Sequence, residues 1–345
     1  MAGSAERKRR RDCVTLPRAL VTGTSGFIAS HLAELLASRG YQVMGLDNRP
    51  ASHRPQGIEL VTCDLLDARR LLDTVRHFRP EVVYHLAART DLDERVSVVD
   101  GYAANVDGVS NIIAAAHAGG AERFVLTSTQ LVSPIGYQPT HDEDFTATTQ
   151  YGKSKVRSEQ LLREADGSGS TWCIARPTTV WGPRMNPAYL RFFRLLIGGR
   201  YFHVGRRPIM KTYGYVGNLV RQLLALGEAP AERVNRKVFY VADYEPMAVQ
   251  DWAEALRKAL GAPPIRTLPR FVARAMAIAG DSLVAMGVSS FPYHSGRLRN
   301  VITPFQSDTS RICELCPDLP YALPEAAKIT ADWVRAVLET EVAAA

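Results

Sequence analysis

A tyrosine and a lysine four residues apart are the first candidates for chemistry. Tyr151 and Lys155 fall at positions i and i+4 of a predicted helix, so their side chains share one face. A tyrosine has an ordinary pKa near 10 and is a poor base at neutral pH, and lowering that pKa by about 3 units takes about 4 kcal/mol. A fixed ammonium beside the phenol contributes to that stabilisation. The pair is therefore predicted to exchange a proton with a substrate hydroxyl, although an isolated pair of this spacing is also common on exposed helices.

Hydroxyl side chains precede this pair at the end of a predicted strand. Ser128 and Thr129 follow the strand Arg123–Thr127 and come 22 residues before Tyr151. Taken alone, such residues also satisfy local backbone groups. Because a strand end can face the same cleft as the helix, these residues are predicted to add a hydroxyl to the cleft that Tyr151 and Lys155 face.

A glycine turn near the start of the chain has the pattern of a phosphate-binding loop. Gly23 and Gly26 follow the apolar strand Ala19–Thr22 and open a predicted helix over Phe27–Ser38. The first glycine permits a tight turn, and the second lets the backbone approach a pyrophosphate at the helix N-terminus, where free N–H groups favour anions. A plain strand-to-helix turn is the alternative for a pattern this short.

An acidic residue at the end of the next strand indicates which dinucleotide would bind. Asp47 lies 24 residues after Gly23, where a carboxylate accepts the ribose hydroxyls of NAD and repels the 2′-phosphate of NADP. Arg49 would partly offset that repulsion. The sequence therefore favours NAD over NADP, with Asp64 and Leu65, after the third strand, expected on the adenine side.

The elements that position these residues alternate between apolar strands and helices. Six strand-like runs precede Pro183, and this pattern predicts a parallel sheet covered on both faces, a doubly wound α/β fold. The predicted organisation is a basic tail at 1–16, an NAD-binding domain at 17–183 to which 211–243 returns, and a smaller substrate-binding lobe that makes up most of 184–345.

Composition excludes several classes of protein. With 46% apolar and 22% charged residues, the 345-residue chain is predicted to fold as a globular protein. Of its net charge of +7, residues 1–18 contribute +4, so the body carries +3, which is weak evidence for nucleic acid binding. The tail is expected to be disordered. Five cysteines and the absence of a secretory signal favour a reducing, cytoplasmic location. No membrane-spanning segment is expected. No metal site is expected either, and this applies also to the Cys313–Cys316 pair.

Together with three further motifs, these residues resemble a known superfamily. The motifs are His85-Leu-Ala-Ala88, Asn105-Val-Asp-Gly108 and Arg176-Pro-Thr-Thr-Val-Trp-Gly-Pro183. Over about residues 17–340 the chain resembles the extended short-chain dehydrogenase/reductases, specifically the NAD-dependent epimerase/dehydratase branch, with Trp181 where tyrosine is usual.

The resemblance implies a role for each residue of the site. Tyr151 would be the catalytic base, Lys155 its partner, Thr129 the orienting hydroxyl, and Asn105 would steady the helix beneath them. The expected cofactor contacts with NAD are Gly23, Ser25, Gly26, Phe27, Ile28, Asp47, Asn48, Asp64, Leu65, Leu86, Ala87, Ala88, Thr127, Tyr151, Lys155, Pro177 and Thr179. The expected substrate contacts are Ser128, Thr129, Gln130, Tyr151, Lys211 and Arg297.

The sequence leaves more than one interpretation of the reaction and of the substrate. Dehydratases of the family usually carry Asp-Glu where this chain has Gln130-Leu131, which argues against dehydration and leaves an epimerase or a dehydrogenase. Lys211 stands where the family usually has an arginine, and it would still meet a diphosphate as a point charge. Arg206 and Arg207 are nearby in the sequence, and Arg297 or Arg299 would supply the other side. These cations favour a nucleotide-diphosphate sugar as the substrate.

Two alternatives remain beside that reading. Segments at 215–218, 238–246 and 268–272 are similar to 3β-hydroxysteroid dehydrogenases, which act on a hydrophobic alcohol. A non-catalytic NAD-binding scaffold is the other alternative. By analogy with the family, a homodimer is expected through the helices near 96–118 and 148–164.

Overall fold

A computed structural model describes residues 16–50, 55–166, 169–186, 189–286 and 294–343. The basic tail predicted for 1–16 lies, apart from Leu16, outside these described residues.

A parallel sheet of seven strands forms the centre of the molecule. Its strands are β1 (Arg18–Thr22), β2 (Gln42–Asp47), β3 (Ile58–Thr62), β4 (Val82–His85), β5 (Arg123–Thr127), β6 (Thr171–Pro177) and β11 (Lys237–Val241), in the spatial order β3-β2-β1-β4-β5-β6-β11. The order reverses between β1 and β4, which is the position where ligands bind in doubly wound sheets. The predicted fold class is confirmed.

Helices cover both faces of the sheet. They are α1 (Phe27–Ser38), α2 (Ala68–Phe78), α3 (Val98–Gly101), α4 (Ala103–Ala118), α5 (Gln150–Glu164), α6 (Leu190–Ile197), α7 (Val216–Glu228), α8 (Ala231–Val234), α9 (Val249–Leu260), α10 (Arg270–Ala285), α11 (Ser295–Ile302), α12 (Ser310–Leu315) and α13 (Leu323–Ala343). One face carries α2, α4 and α5, and the other carries α1 and α7 with the helices that follow. The sheet is therefore buried on both sides, which explains its continuous apolar strands.

Short strands complete the second half of the chain. These are β7 (Thr179–Trp181), β8 (Phe202–Val204), β9 (Met210–Lys211), β10 (Tyr213–Tyr215), β12 (Met247–Ala248) and β13 (Arg266–Leu268), which form three two-stranded ladders. Between them the chain returns to the main sheet, where β11 pairs with β6 and Val238 lies opposite Ile174.

The parallel strands bring the predicted site residues to one edge of the sheet. Asp47, His85, Thr127 and Pro177 each end a strand, so they share the carboxyl edge of the sheet. Within the described ranges, no helix has the length and apolar character to cross a membrane.

Candidate functional site

The turn after β1 requires glycine at its first position. Gly23 has a φ of +81°, and a Cβ there would lie 2.8 Å from the backbone nitrogen of Ala87. Gly26 caps α1, and Ala29 in the first turn is buried against the sheet. The N-terminus of α1 thus opens towards the carboxyl edge through a loop without bulky side chains, as phosphate binding requires.

Asp47 lies directly beside this loop. Its Oδ2 accepts a hydrogen bond from the backbone N–H of Ser25 at 2.9 Å, and its Oδ1 accepts from the N–H of Arg49 at 3.1 Å. The hydroxyl of Ser25 donates to the carbonyl of Arg49 at 3.0 Å. The carboxylate is therefore fixed at the end of β2, next to the glycine turn, while Asn48 is exposed.

The two residues predicted to lie on the adenine side of the cofactor, Asp64 and Leu65, follow the end of β3. Asp64 is exposed, and its Oδ1 accepts from the N–H of Leu66. Leu65 is buried, and its carbonyl accepts from Asn111 on α4 at 2.8 Å. Gly108 lets α4 approach this segment, because a Cβ there would lie 3.0 Å from the Cβ of Leu65.

A buried threonine joins β1 to the motif at the end of β4. The Oγ1 of Thr22 lies 2.8 Å from the Nδ1 of His85 and accepts hydrogen bonds from the backbone N–H groups of Leu86 and Ala87 at 3.1 Å. These bonds hold residues 86–88 against the glycine turn. His85 is completely buried, and burial, followed by the charge of Lys155, lowers its pKa to about 3.

The tyrosine and the lysine lie on α5, which begins at a capped N-terminus. The Oγ1 of Thr149 accepts from the N–H of Gly152 at 3.0 Å, and this cap fixes the first turn, which contains Tyr151. Tyr151 is half-buried, and Lys155, one turn later, is 1% exposed. Thr129 hydrogen-bonds with Tyr151, so the structure brings the three residues together.

Electrostatics at this cluster leave the phenol neutral in the protein alone. Burial raises the pKa of Tyr151 to about 12, although the hydrogen bond with Thr129 acts in the opposite direction. Burial also lowers the pKa of Lys155 to about 8, against the attraction of Glu159. In the described part of the chain, the ammonium of Lys155 has neither a hydrogen bond nor an ion pair. A buried unpaired cation is costly, so the site is suited to a ligand with oxygen acceptors.

Several other buried polar atoms at this edge also lack a partner. Among the described residues they include His85 Nε2, Thr127 Oγ1, Ser128 Oγ, Gln130 Oε1 and Thr178 Oγ1. A buried polar atom without a hydrogen bond costs about 1–3 kcal/mol. All five lie at the ends of β4, β5 and β6. Together with the glycine turn and Asp47, these atoms fit a dinucleotide with a polar substrate beside it.

The remaining predicted cofactor contacts follow the same edge. Phe27 and Ile28 form the first turn of α1, and Pro177 ends β6. Thr179 begins β7, and its Oγ1 lies 3.4 Å from the Nε2 of Gln130.

Asn105 positions the site rather than contacting its reactive atoms. Its side chain accepts from the N–H of Arg89 at 2.8 Å, and its Nδ2 donates to the carbonyl of Arg89 at 3.0 Å and to Ser154 Oγ at 2.9 Å. Ser158 donates to the carbonyl of Asn105 at 2.6 Å. Asn105 therefore ties the loop after β4 to the buried face of α5, next to Lys155.

A buried ion pair below the lysine was not anticipated from the sequence. Glu159 and Arg176 are 0% and 1% exposed, with Nε–Oε1 and Nη2–Oε2 distances of 2.9 and 2.7 Å. Arg176 also donates to the carbonyl of Asp142 at 2.5 Å and to Tyr240 Oη at 3.2 Å. The four-residue spacing of Tyr151, Lys155 and Glu159 places Glu159 on the same face of α5 as the other two, and this spacing was the signal available in the sequence.

The predicted cations of the substrate side lie in the second half of the chain. Lys211, on β9, is half-buried, and its Nζ donates to the carbonyl of Asn300 on α11 at 2.5 Å. Burial lowers the pKa of Lys211 to about 8. Arg297, also on α11, is exposed, and its pKa is lowered by partial burial and by the like charge of Arg191. Arg206, Arg207 and Arg299 are exposed.

A small cavity connects the two halves. It measures about 40 Å³, and Gln130, Ser133 and Tyr240 on one side face Phe305 and its neighbours on the other. Phe305 is bridged to Lys211. Gln130, which directly follows Thr129, is therefore in the lining of a cavity whose other side is next to the strand of Lys211. In the described ranges, no group of histidine, cysteine or acidic side chains is arranged to hold a metal ion.

Solved structures resemble the whole architecture. The UDP-glucose 4-epimerase of Thermotoga maritima, solved with UDP-glucose, superposes with a TM-score of 0.72, at 22% identity and over 93% of this chain and 99% of that one. The UDP-glucose 4-epimerase of Thermus thermophilus, solved with NAD, gives a TM-score of 0.69 at 22% identity, over 92% and 99% of the two chains.

Sequence relatives have other activities. A 3-beta-hydroxysteroid dehydrogenase of Mycolicibacterium neoaurum is 29% identical over 76% of this chain and 75% of its own length. A 3-diazoavenalumate denitrifying reductase of a Streptomyces species is 30% identical over 74% and 86%. Residues 19–242 match the family model for NAD dependent epimerases and dehydratases. The chain thus belongs to the NAD dependent epimerase/dehydratase family.

Proposed function

We propose that the protein is an NAD-dependent epimerase acting on a secondary alcohol of a nucleotide-diphosphate sugar. The observation that carries the proposal is the cluster of Tyr151, Lys155 and Thr129 at the carboxyl edge of the sheet, next to the glycine turn and Asp47. Thr129 also caps the turn that follows it by accepting from the N–H of Leu131 at 3.2 Å, but the buried ammonium of Lys155 has no structural partner in the described part of the chain.

The chain's own residues would hold the substrate alcohol and move its proton. NAD, when bound, supplies the hydride acceptor for the carbinol carbon and a positive charge near the phenol. Thr129 orients the alcohol by hydrogen bonding, and Tyr151 Oη takes its proton. Lys155 holds the cofactor ribose and favours the phenolate through its charge, which offsets part of the burial that now raises the pKa of Tyr151.

The substrate's diphosphate would meet the cations of the second half. Lys211, Arg297 and Arg191 carry like charges, and the proximity of Arg191 already lowers the pKa of Arg297. Like charges held near one another are stabilised by an anion. Phe305, which lines the cavity beside Gln130, is bridged to Lys211, and this neighbourhood supports a sugar carried on a diphosphate.

Return of hydride to the other face of the ketone completes an epimerisation. Dehydration needs an additional acid and base in the cavity, and Gln130 and Leu131 provide neither. The amide of Gln130 is buried and faces the cavity, where it suits a hydrogen bond to a sugar hydroxyl. We further propose a cytoplasmic homodimer formed through α4 and α5.

Replacement of the proposed base tests the reaction. We expect Tyr151→Phe to lower turnover at least about 100-fold, because general acid–base catalysis contributes about 10²–10⁴-fold, with the affinity for NAD nearly unchanged. Turnover is measured as sugar stereochemistry and as reduced cofactor with a panel of nucleotide sugars. Tyr41→Phe is the matched control, since Tyr41 bonds Glu228 away from the site. Full turnover in Tyr151→Phe would contradict the assignment.

A hydrophobic alcohol is the second candidate, favoured by the 3-beta-hydroxysteroid dehydrogenase among the sequence relatives. Thermal shift with UDP, GDP, CDP and dTDP, compared with a sterol, separates the two. Stabilisation by a sterol and by none of the nucleotides would favour the dehydrogenase. Tight NAD binding without reduction by any alcohol would instead favour a non-catalytic scaffold.

A further inference from the structure

The buried imidazole of His85 carries its proton on Nε2. Thr22 Oγ1 accepts from the N–H groups of Leu86 and Ala87 at 3.1 Å, and these two bonds use both lone pairs of the hydroxyl. The hydroxyl proton of Thr22 is therefore donated to His85 Nδ1, 2.8 Å away. Because burial lowers the pKa of His85 to about 3, the ring is neutral and its single proton is on Nε2.

This Nε2–H group is a buried donor that needs an acceptor. His85 is 0% exposed, and Nε2 has no hydrogen bond to any of the described residues. Proteins satisfy nearly all such donors, either with another group of the chain or with an internal water molecule. Since Thr22 fixes the tautomer, the ring cannot present a lone pair at Nε2 instead.

The ring of His85 lies in the layer between the sheet and the helices α4 and α5. His85 pairs with Leu126 of β5, and residues paired in parallel strands project to the same face. Leu126 packs in one apolar cluster with Leu162 of α5 and with Phe124, whose ring centroid is 6.2 Å from that of His85. Lys155 is on the buried face of α5, and its charge acts on the imidazole. The imidazole and the ammonium therefore share this layer.

The acceptors of the chain around Lys155 are already engaged. Both oxygens of Glu159, the carboxylate that attracts Lys155, accept from Arg176. Asn105 Oδ1 accepts from the N–H of Arg89. An ammonium has three N–H donors, so one hydroxyl of a cofactor ribose does not satisfy it. Lys155 thus needs a further acceptor, as His85 does.

A serine at the end of β5 adds a third polar group to the same layer. The N–H of Ser128 donates to the carbonyl of Ala175 at 2.7 Å, so the chain is still extended at this residue. Ser128 comes two residues after Leu126 and is therefore on the same face as Leu126 and His85. Its Oγ is buried and has no partner among the described residues. One water molecule can accept from His85 and from Lys155 and donate to Ser128.

We propose that His85 is a positioning residue, which Thr22 locks as the Nε2–H tautomer and which holds, together with Ser128, an internal water molecule that accepts from Lys155. The water gives the ammonium an acceptor without a second carboxylate. This inference rests on the role that the proposed function gives to Lys155. It also assigns Ser128 to the water instead of the substrate.

NMR spectroscopy tests the tautomer without turnover. Two-bond ¹H–¹⁵N spectra of the full chain with labelled histidine show which ring nitrogen is protonated, and the signals of His85 are those missing in His85→Phe. We expect Nε2 to be protonated and Nδ1 to be unprotonated from pH 5 to pH 9. Thr22→Ser, which keeps the hydroxyl, should preserve this pattern, and Thr22→Val should lose the single tautomer.

NAD titrations at a series of pH values test the link to Lys155. In the wild type, the midpoint of the pH dependence should lie near the pKa of Lys155, about 8. His85→Phe should lower this midpoint by about one unit, because the ammonium loses an acceptor that favours its charged form. His85→Gln, which keeps an N–H donor, should restore most of the shift. His117→Gln, on the exposed side of α4, should match the wild type.

A second variant covers the case in which His85→Phe does not fold. Ser128→Ala removes the group to which the water donates and leaves the imidazole in place, and it should move the midpoint in the same direction. The inference is overturned by a proton on Nδ1 of His85 or by a midpoint that neither His85→Phe nor Ser128→Ala shifts. Equal shifts in His85→Phe and His85→Gln would also overturn it, since the effect would then come from packing. Absence of turnover with any alcohol would contradict the proposed function and leave both measurements unchanged.

Discussion

We predict that one carboxylate, Asp47 at the end of β2, makes the protein prefer NAD to NADP. In Asp47→Asn the negative charge that repels a 2′-phosphate is lost, while the acceptor oxygen for Ser25 is kept. We expect the ratio of NADP to NAD dissociation constants to fall by about tenfold, equivalent to about 1.4 kcal/mol. Titration calorimetry gives both constants. Asp64→Asn is the control at an exposed strand end, and an unchanged ratio in Asp47→Asn would show that Asp47 does not face the ribose.

We expect Lys155 on α5 to give NAD binding a pH dependence. The pKa of Lys155 is lowered to about 8 by burial, so its ammonium is charged below this pH and loses its charge as the pH rises through it. Glu159 faces it one turn away, and His85 is neutral over this range. We expect NAD affinity to fall between pH 7 and pH 9.5, because neutral Lys155 no longer attracts the cofactor.

The measurement is a series of NAD titrations by fluorescence over that range. Lys155→Met should bind NAD weakly and with a flat profile. Equal affinities at pH 7 and pH 9.5 in the wild-type protein would contradict the charge assigned to Lys155.

For residues that belong to short, local patterns, the sequence alone predicted where they lie in the fold. Gly23 and Asp47 follow directly from a strand, a turn and a helix, and the structure puts them side by side. Lys211 was singled out as a cation, but its bond to the carbonyl of Asn300 spans 89 residues. No local pattern encodes such a contact, and the same is true of the pair formed by Glu159 and Arg176.

The buried ion pair between Glu159 and Arg176 links α5 to β6 of the sheet. Removing one partner leaves a buried charge without compensation, which costs about 3–5 kcal/mol. We therefore expect Glu159→Gln and Arg176→Met each to lower the free energy of unfolding by that amount. The double variant Glu159→Leu/Arg176→Met, which leaves no charge, should recover much of the loss.

Urea denaturation measures the three variants against the wild type. Arg157→Gln, which breaks an exposed pair with Glu164 on the same helix, should change stability by less than about 1 kcal/mol. A double variant as unstable as the sum of the single ones would show that the two residues contribute independently and not as an ion pair.

Regular elements were predictable where their sequences are long and apolar. The bounds of α1 and β5 agree with those expected from the sequence. Ladders of two or three residues, such as β9 with β12, were not anticipated, because their pairing is fixed by tertiary contacts.

The chain is not expected to fold when it is truncated at residue 183, the end of its first half. Strand β11 and helix α7 both follow residue 183, yet β11 pairs with β6 and α7 packs on α1. We expect a fragment ending at residue 183 to be insoluble or to bind a hydrophobic dye, because one edge and one face of its sheet are uncovered. The intact chain should unfold in a single calorimetric transition that NAD shifts upward. A soluble fragment that binds NAD would contradict this interdependence.

Gln130 and Phe305 line a cavity of about 40 Å³, and on the same lining Gln138 Nε2 donates a hydrogen bond to the carbonyl of Gln306 at 2.7 Å. Its walls come from opposite halves of the chain. Under the proposed function, a ketone formed beside Thr129 must either rotate and be reduced again or leave the protein. The balance between isomer and oxidised product would then depend on how firmly these two segments stay together.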